Sequence, residues 1–325
     1  MIELLVTQHP SSSHNVLQWW CSNMTTYLDD LFAAKILIPT GEPGVYGRSA
    51  LFESIVEGLD SAATRAGMDL NAEKIRFPPA ITFNLLKKSE YLNSFPDLVG
   101  TVHCFCGNER DHRAMLQCVG EGDDSWTEKQ KISGVALTPA ACYPIYPTMA
   151  ERGTVPDQGY VVDAFSYCFR HEPSIDPMRM QLFRMREYIR LGTPEQVYDF
   201  RQMWMKRGRE YVEALQLPCE IDVANDPFFG RGGQIVANSQ REQKLKFELL
   251  IPVNQDKLSA CLSFNYHMDH FGELFNMNTG NGEHCHTACV GFGLERLTLA
   301  LLKHHGFNLA EWPAGVKEFL WPGCN

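Results

Sequence analysis

Two alternating runs, held apart by a proline-interrupted loop, constrain this chain more than any other feature. YVVDAFSYCFRHE (residues 160–172) sets Phe165, Tyr167 and Phe169 on one side and Ser166, Cys168, Arg170 and Glu172 on the other. That is the period-two pattern of a strand with one greasy and one chemical face. PSIDPMRM follows, then QLFRMREYIRL, in which Phe183, Met185, Glu187 and Ile189 share a side. The two runs predict an antiparallel hairpin with a long tip.

Helical signals flank the hairpin. Thr193, Pro194 and Gln196 supply an N-cap, a proline at the first helical position and a reciprocal acceptor at the third, a capping box. QVYDFRQMWMKRGREYVEAL is therefore predicted as a helix of about five turns ending near Leu217-Pro218. Upstream, Ser49 caps a helix over 49–66 with Leu51, Ile55, Leu59 and Ala62 at helical spacing, and Gly67 stops it. Pro78 and Pro79 confine KIRFPPAITF to an edge or a strand end, and Gly120 to Lys131 reads as a surface loop. Downstream, the Gly-rich patch DPFFGRGGQIVANSQREQ precedes a strand LKFELLIPV and the apolar stretch LSACLSFNY. HTACVGFG turns through Gly291 and Gly293 into a helix carrying Leu294, Leu297 and Leu301. Strands and helices without βαβ alternation predict an α+β fold around an antiparallel sheet flanked by helices.

Composition narrows the function. Lysine and arginine number 29 against 39 aspartate and glutamate, a formal charge of −10, which argues against bulk attraction to a nucleic-acid backbone. At 44% hydrophobic and 21% charged the chain is globular rather than disordered. The runs VVDAF, ELLIPV and LTLALL fall far short of the ~20 residues of a membrane span, and MIELLVTQHPSSSH lacks the basic and apolar regions of a leader. A soluble, cytoplasmic protein is expected, with one domain over residues 1–325, since no repeat or long linker interrupts it. The 11 cysteines, scattered through the chain, read as reduced thiols with a metal-binding or catalytic subset rather than as a disulfide framework.

An arginine on a strand face (Arg170), one on the loop (Arg179) and one at a helix start (Arg296) can converge on a polyanion, because guanidinium forks match phosphate oxygens. Phe183 offers a base a stacking platform. Taken singly, glycines before a helix also serve helix–strand packing, and arginines on hairpins are commonly solvated. Together, FRHE with the run from Arg179 to Phe183 resembles motif 2, and Gly291-Phe-Gly-Leu-Glu-Arg296 resembles motif 3, of the class II aminoacyl-tRNA synthetases. Residues 49–80, ending in Pro79, resemble a vaguer motif 1, which in that family builds a homodimer interface.

Within the class, KKSEYLNSFPDLVG, LTPAACYPIYP, FRMREYI and HTACVGFGLERL resemble the atypical, zinc-dependent seryl-tRNA synthetases. The resemblance implies one Zn²⁺ held by Cys142, Glu187 and Cys289, with the substrate's amino group on the fourth position. Thiolate and carboxylate suit zinc, and three protein ligands leave the site open. It further implies ATP contacts at Arg170, Glu172, Arg179, Phe183 and Arg296, Mg²⁺ at Glu248, and an amino-acid pocket at Ser263, Asn265 and Asp269. Arg170 would be the catalytic contact, on the α-phosphate. His267, Met268 and Phe271 look bulky there and favour glycine or alanine over serine. Two other clusters, His103/Cys104/Cys106/His112 and His284/Cys285/His286, lack the paired spacing of a zinc site and are read as structural.

Only about 40 residues precede the first core helix and no basic extension is present to hold tRNA. The architecture therefore resembles the amino acid:[carrier protein] ligases, which load a small amino acid onto a carrier's phosphopantetheine thiol. By that resemblance residues 226–246 are a helix-bearing insert for docking an acidic carrier, with Arg231, Arg241, Lys244 and Lys246 as its basic patch. A truncated seryl-type enzyme charging tRNA and a catalytically silent amino-acid sensor are the competing readings.

Overall fold

The computed structural model describes residues 26–254 and 257–323; the expectation that MIELLVTQHPSSSH is not a leader falls outside them. Seven strands build the central sheet: β1 (Glu73–Arg76), β2 (Tyr160–Phe169), β3 (Leu182–Gly192), β4 (Glu220–Ala224), β5 (Lys246–Asn254), β6 (Lys257–Met268) and β7 (His286–Gly293). Their order is β1-β2-β3-β7-β6-β5-β4. Every pairing is antiparallel except that of the edge strand β1 with β2. β1 ends just before Pro78-Pro79, whose missing amide donors restrict them to such places. Helices α1 (Ala50–Ala66), α2 (Pro194–Ala214), α3 (Gly230–Glu242), α4 (His270–Phe275) and α5 (Leu294–His305) flank the sheet. A smaller three-stranded sheet joins Ala80–Thr82, Gln130–Leu137 and Thr101–Phe105.

The caps form as the sequence predicts. The Ser49 hydroxyl accepts from the Phe52 amide, and Thr193 and Gln196 exchange hydrogen bonds in a full capping box at the head of the 21-residue α2. Gly67 ends α1 at φ −108°, so its need for glycine is space rather than handedness: a Cβ there would sit 2.5 Å from the Tyr188 ring. α2 and α5 bury Trp204, Tyr211, Leu294, Leu297 and Leu301 against the back of the sheet in the largest apolar cluster. No helix among the described residues is long and apolar enough to cross a membrane.

The hairpin differs from expectation in its faces. β2 stops at Phe169, so Arg170 and Glu172 lie beyond it. Its buried side is Val162, Ala164, Ser166 and Cys168, whereas Phe165 and Phe169 are half-buried and Tyr167 is 40% exposed. Pairing decides this: Cys168, Ser166, Ala164 and Val162 stand opposite Phe183, Met185, Glu187 and Ile189. Small residues on β2 leave room for the larger ones on β3. On the reverse face, Asp163 is buried as the partner of Arg186 at 2.5 Å, and the Arg184 guanidinium lies over Tyr167.

Candidate functional site

Register alone assembles most of the site. One row across the sheet runs Glu187, Gly291, Ser263, Glu248, and the next runs Ile189, Cys289, Asn265, Lys246. Because alternate residues share a face, four strands present these side chains to one side. Gly291 opens the row: a Cβ there would lie 3.1 Å from Ser263 Oγ and 3.9 Å from Glu187 Cγ. Cys142, from the turn before the helix Ile145–Ala150, closes over the row from above. The result is a cavity of about 760 Å³, lined by Cys142, Arg170, Phe183, Glu187, Glu248 and Arg296 among others.

Cys142, Glu187 and Cys289 are buried and hydrogen-bonded to one another. Burial pushes the Glu187 carboxyl up, against hydrogen bonds from Cys289 and Cys142. The Cys289 thiol is pushed well up, first by its hydrogen bond with Cys142 and then by burial. Hydrogen bonding to Cys289 pulls the Cys142 thiol down, but burial and the Glu187 charge outweigh it. Asn265 Nδ2 reaches Cys289 Sγ at 3.4 Å, and His267 Nε2 stands 3.9 Å from the same sulfur. Among the described residues no three His, Cys, Asp or Glu side chains stand at the spacing of an assembled metal shell. The donor set nevertheless fits zinc: two thiols and a carboxylate meet without a protein cation within hydrogen-bond reach, and Glu187 Oε2 is buried with no hydrogen-bond partner. A divalent ion would satisfy that oxygen and hold both thiols as thiolates, reversing the upward shifts.

At the other end, Arg170 lies over the Phe183 ring at 5.5 Å, its Nε donating to the Pro139 carbonyl at 3.3 Å. Arg296 donates to the carbonyls of Met178 and Ala260, at 2.8 and 2.9 Å, and burial lowers its pKa. Glu172 lines the cavity and pairs with Arg179 at 3.2 Å; Arg179 is half exposed and outside the lining. Glu295, 2% exposed, receives the Arg184 amide and Nε at 2.6 and 2.8 Å and so ties β3 to the start of α5.

Three expected residues stand elsewhere. Lys246 is not on the outer face with Arg231, Arg241 and Lys244: it is buried in the cavity, 2.6 Å from Asp226 and 3.0 Å from Glu248. Alternation explains it, because Lys246 and Glu248 are two apart on β5 and share its inner face. Asp269 is exposed at the head of α4 and Met268, at φ +54°, points outward, so neither lines the pocket, whereas His267 and Phe271 do. A chain reversal after β6 turns both away. Arg231, Arg241 and Lys244 are exposed on and beside α3, where Ile235 is 72% exposed and Val236 50%. α3 borders the cavity mouth through Ile235, Val236, Ser239 and Gln240. Asp226, which accepts from Gln240 Nε2 at 2.8 Å, had no local signature; the Lys246–Glu248 pairing was signalled by period-two spacing.

Comparisons with known proteins bear on the fold and the family. The profile of the tRNA synthetase class II core domain (G, H, P, S and T) matches residues 126–305. Amino acid–[acyl-carrier-protein] ligases 1 and 2 of Bradyrhizobium diazoefficiens are 46% and 44% identical over 292 residues, 90% of this chain and 89% and 87% of theirs. A type-2 serine–tRNA ligase of Methanopyrus kandleri is 26% identical, and the chain spans about half of it, 54%. The solved structure of M. kandleri SerRS with A. aeolicus tRNASec superposes with a TM-score of 0.78 at 21% identity, covering 92% of this chain and 60% of that one. That likeness shows the fold.

Proposed function

The chain belongs to the class II synthetase core family, in its amino acid–[acyl-carrier-protein] ligase branch, and from that premise we propose that it activates a small amino acid with ATP and passes it to a carrier protein's phosphopantetheine thiol. The observation that carries the reading is convergence: a cation pair, an aromatic platform, an acidic strand residue and a thiol–carboxylate trio line one cavity.

In this reading Cys142, Glu187 and Cys289 would hold Zn²⁺, which supplies a Lewis-acid seat for the substrate's amine. Arg170 neutralises the α-phosphate as the amino-acid carboxylate attacks it and pyrophosphate leaves. Phe183 and Arg296 take the adenine between them, with Glu172 at its amino group. Arg179 and Arg296 hold the γ-phosphate, Arg179 after release from Glu172. Glu248 would hold Mg²⁺ once it parts from Lys246. No protein nucleophile is needed; positioning and charge stabilisation carry the chemistry. The carrier's thiol then attacks the mixed anhydride, forming a thioester and releasing AMP. His267 and Phe271 narrow the wall beside Cys289, which favours glycine or alanine. Ser263 and Asn265 belong to the same pocket.

The insert 226–246 presents Arg231, Arg241 and Lys244 with an apolar patch at Ile235 and Val236, at the mouth through which a phosphopantetheine arm must enter; an acidic carrier complements it. The enzyme is proposed as a homodimer through residues 49–80. The test is ATP–pyrophosphate exchange by the zinc-loaded protein across the small amino acids. Chelator-sensitive exchange with glycine or alanine, lost in Arg170→Ala, is expected. No exchange with any amino acid, or full exchange by Arg170→Ala, would overturn the reading.

A further inference from the structure

His267 is the unpaired residue of a bulge: Tyr266 stands opposite Ala288 and Met268 opposite Thr287, with the register shift between them. Bulges next to reacting sites commonly re-aim a side chain, and this one turns an imidazole onto the cavity wall beside Cys289. The ring is fixed edge-on by Phe271, at 5.0 Å and 72°, and by Tyr146, at 6.4 Å and 82°. Nδ1 lies 3.1 Å from Thr287 Oγ1, and the ring also hydrogen-bonds the Thr287 backbone. With Nδ1 turned to Thr287, Nε2 is the nitrogen on the Cys289 side. Nε2 and Cys289 Sγ stand 3.9 Å apart, within hydrogen-bonding reach of a sulfur.

This is how a metal-binding histidine is usually prepared, its far nitrogen bonded to a fixed partner so that the near one faces the metal. Two donors on one tetrahedral zinc, at about 2.3 Å for sulfur and about 2.05 Å for nitrogen, stand roughly 3.6 Å apart. The observed separation exceeds this by a few tenths of an ångström. We propose that His267 Nε2 is a fourth, displaceable donor that closes the Cys142–Glu187–Cys289 centre at rest and yields to the amine of the amino acid. The inference rests on the zinc reading above. In the exchange one metal–imidazole bond breaks and one metal–amine bond forms, the incoming ammonium having lost one proton to water. Until the substrate arrives the imidazole shields the centre from water and stray thiols.

The test uses the full chain, stripped of metal and titrated with Zn²⁺ against a chromophoric chelator, beside His267→Ala and His267→Asn. Both variants are expected to bind Zn²⁺ more weakly by about tenfold or more. With Co²⁺ in the site, the glycine-free visible spectrum of each variant should differ from wild type. Addition of glycine should make the spectra converge, because the same amine then fills the fourth position in all three. That convergence also shows that the variants are folded. Equal zinc affinity and identical glycine-free cobalt spectra in the three proteins would overturn the role of His267 while leaving the zinc reading standing. A wild-type protein that takes up no zinc would overturn the metal reading itself.

Discussion

Replacing Lys246 separates its observed place in the cavity from a place on a carrier-docking surface. Its ammonium lies 2.6 Å from Asp226 and 3.0 Å from Glu248, with side-chain exposures of 11%, 31% and 23%. Removing one partner of a fully buried pair costs about 3–5 kcal/mol; water at the two carboxylates brings this to roughly 2 kcal/mol. For a chain of this size that lowers Tm by roughly 3 °C. The pH dependence has a definite sign. Burial pushes Asp226 up, but Lys246 and Gln240 outweigh it and hold the carboxyl below its usual range. Burial opposes the Lys246 charge, yet Asp226 and Glu248 raise its pKa. A depressed carboxyl stabilises above its unfolded pKa, about 3.9, and loses that as pH falls through its folded value; a raised lysine stabilises below about 10.4 and loses that as pH climbs through its folded value. The wild-type pair therefore contributes fully from about pH 5 to pH 10. In Lys246→Met burial acts on Asp226 unopposed by the ammonium, so the deficit is largest at neutral pH and narrows as the carboxyl protonates toward pH 5. Glu248 is also freed from its partner before any Mg²⁺ arrives, and a shift of about an ångström at a positioned nucleotide site costs up to a hundredfold in rate. Thermal melts from pH 5 to 9 and pyrophosphate exchange check both parts. Unchanged melts and exchange, with loss confined to carrier loading, would place Lys246 on the docking face and refute the argument.

Other perturbations address separate parts of the molecule. Glu295→Ala strands the buried Arg184 amide and takes one of the two carboxylates from the Arg184 guanidinium, Glu53 keeping the other, so calorimetry should show a loss of about 1–3 kcal/mol; a melt within a degree of wild type would show that the tie between β3 and α5 is dispensable. Gly291→Ala puts a methyl 3.1 Å from Ser263 Oγ on the floor of the proposed amino-acid pocket, and should raise the KM for the amino acid in exchange while leaving the KM for ATP unchanged. Arg231→Glu combined with Arg241→Glu should slow carrier loading, with a weakened salt dependence, and leave exchange intact; equal loading by the double variant at low salt would remove these charges from the dock.

The elements were largely legible because their signals are local. Ser49, Thr193 and Gln196 cap the helices that their spacing predicts, and Pro78-Pro79 mark the end of an edge strand. Which face of β2 is buried was not legible, because it depends on what β3 sets opposite: Phe165 and Tyr167 look like core in isolation, yet Phe183 and Met185 occupy the space on the other side. Lys246 was misplaced for a related reason. A basic run reads as a surface when its residues are counted along the chain, but β5 begins at Lys246, and from there alternation rather than proximity decides which side a charge takes.

The thiol–carboxylate trio proposed to hold zinc shows why site residues resist such reading even when strands do not. Cys142, Glu187 and Cys289 are separated by 45 and 102 positions, and each thiol alone has the composition and burial of an ordinary small core residue. Their meeting depends on two long-range registers, Glu187 opposite Gly291 and Asn265 opposite Cys289, and on a turn that lowers Cys142 over them. A slip of one residue between β3 and β7 would turn Glu187 to the helix-covered face and leave both thiols without a carboxylate. The glycine at 291 follows from the same geometry, since any side chain there would fill the gap between Glu187 and Ser263. Only a whole-chain resemblance, in which those registers are already implicit, could bring the three together before the sheet was seen.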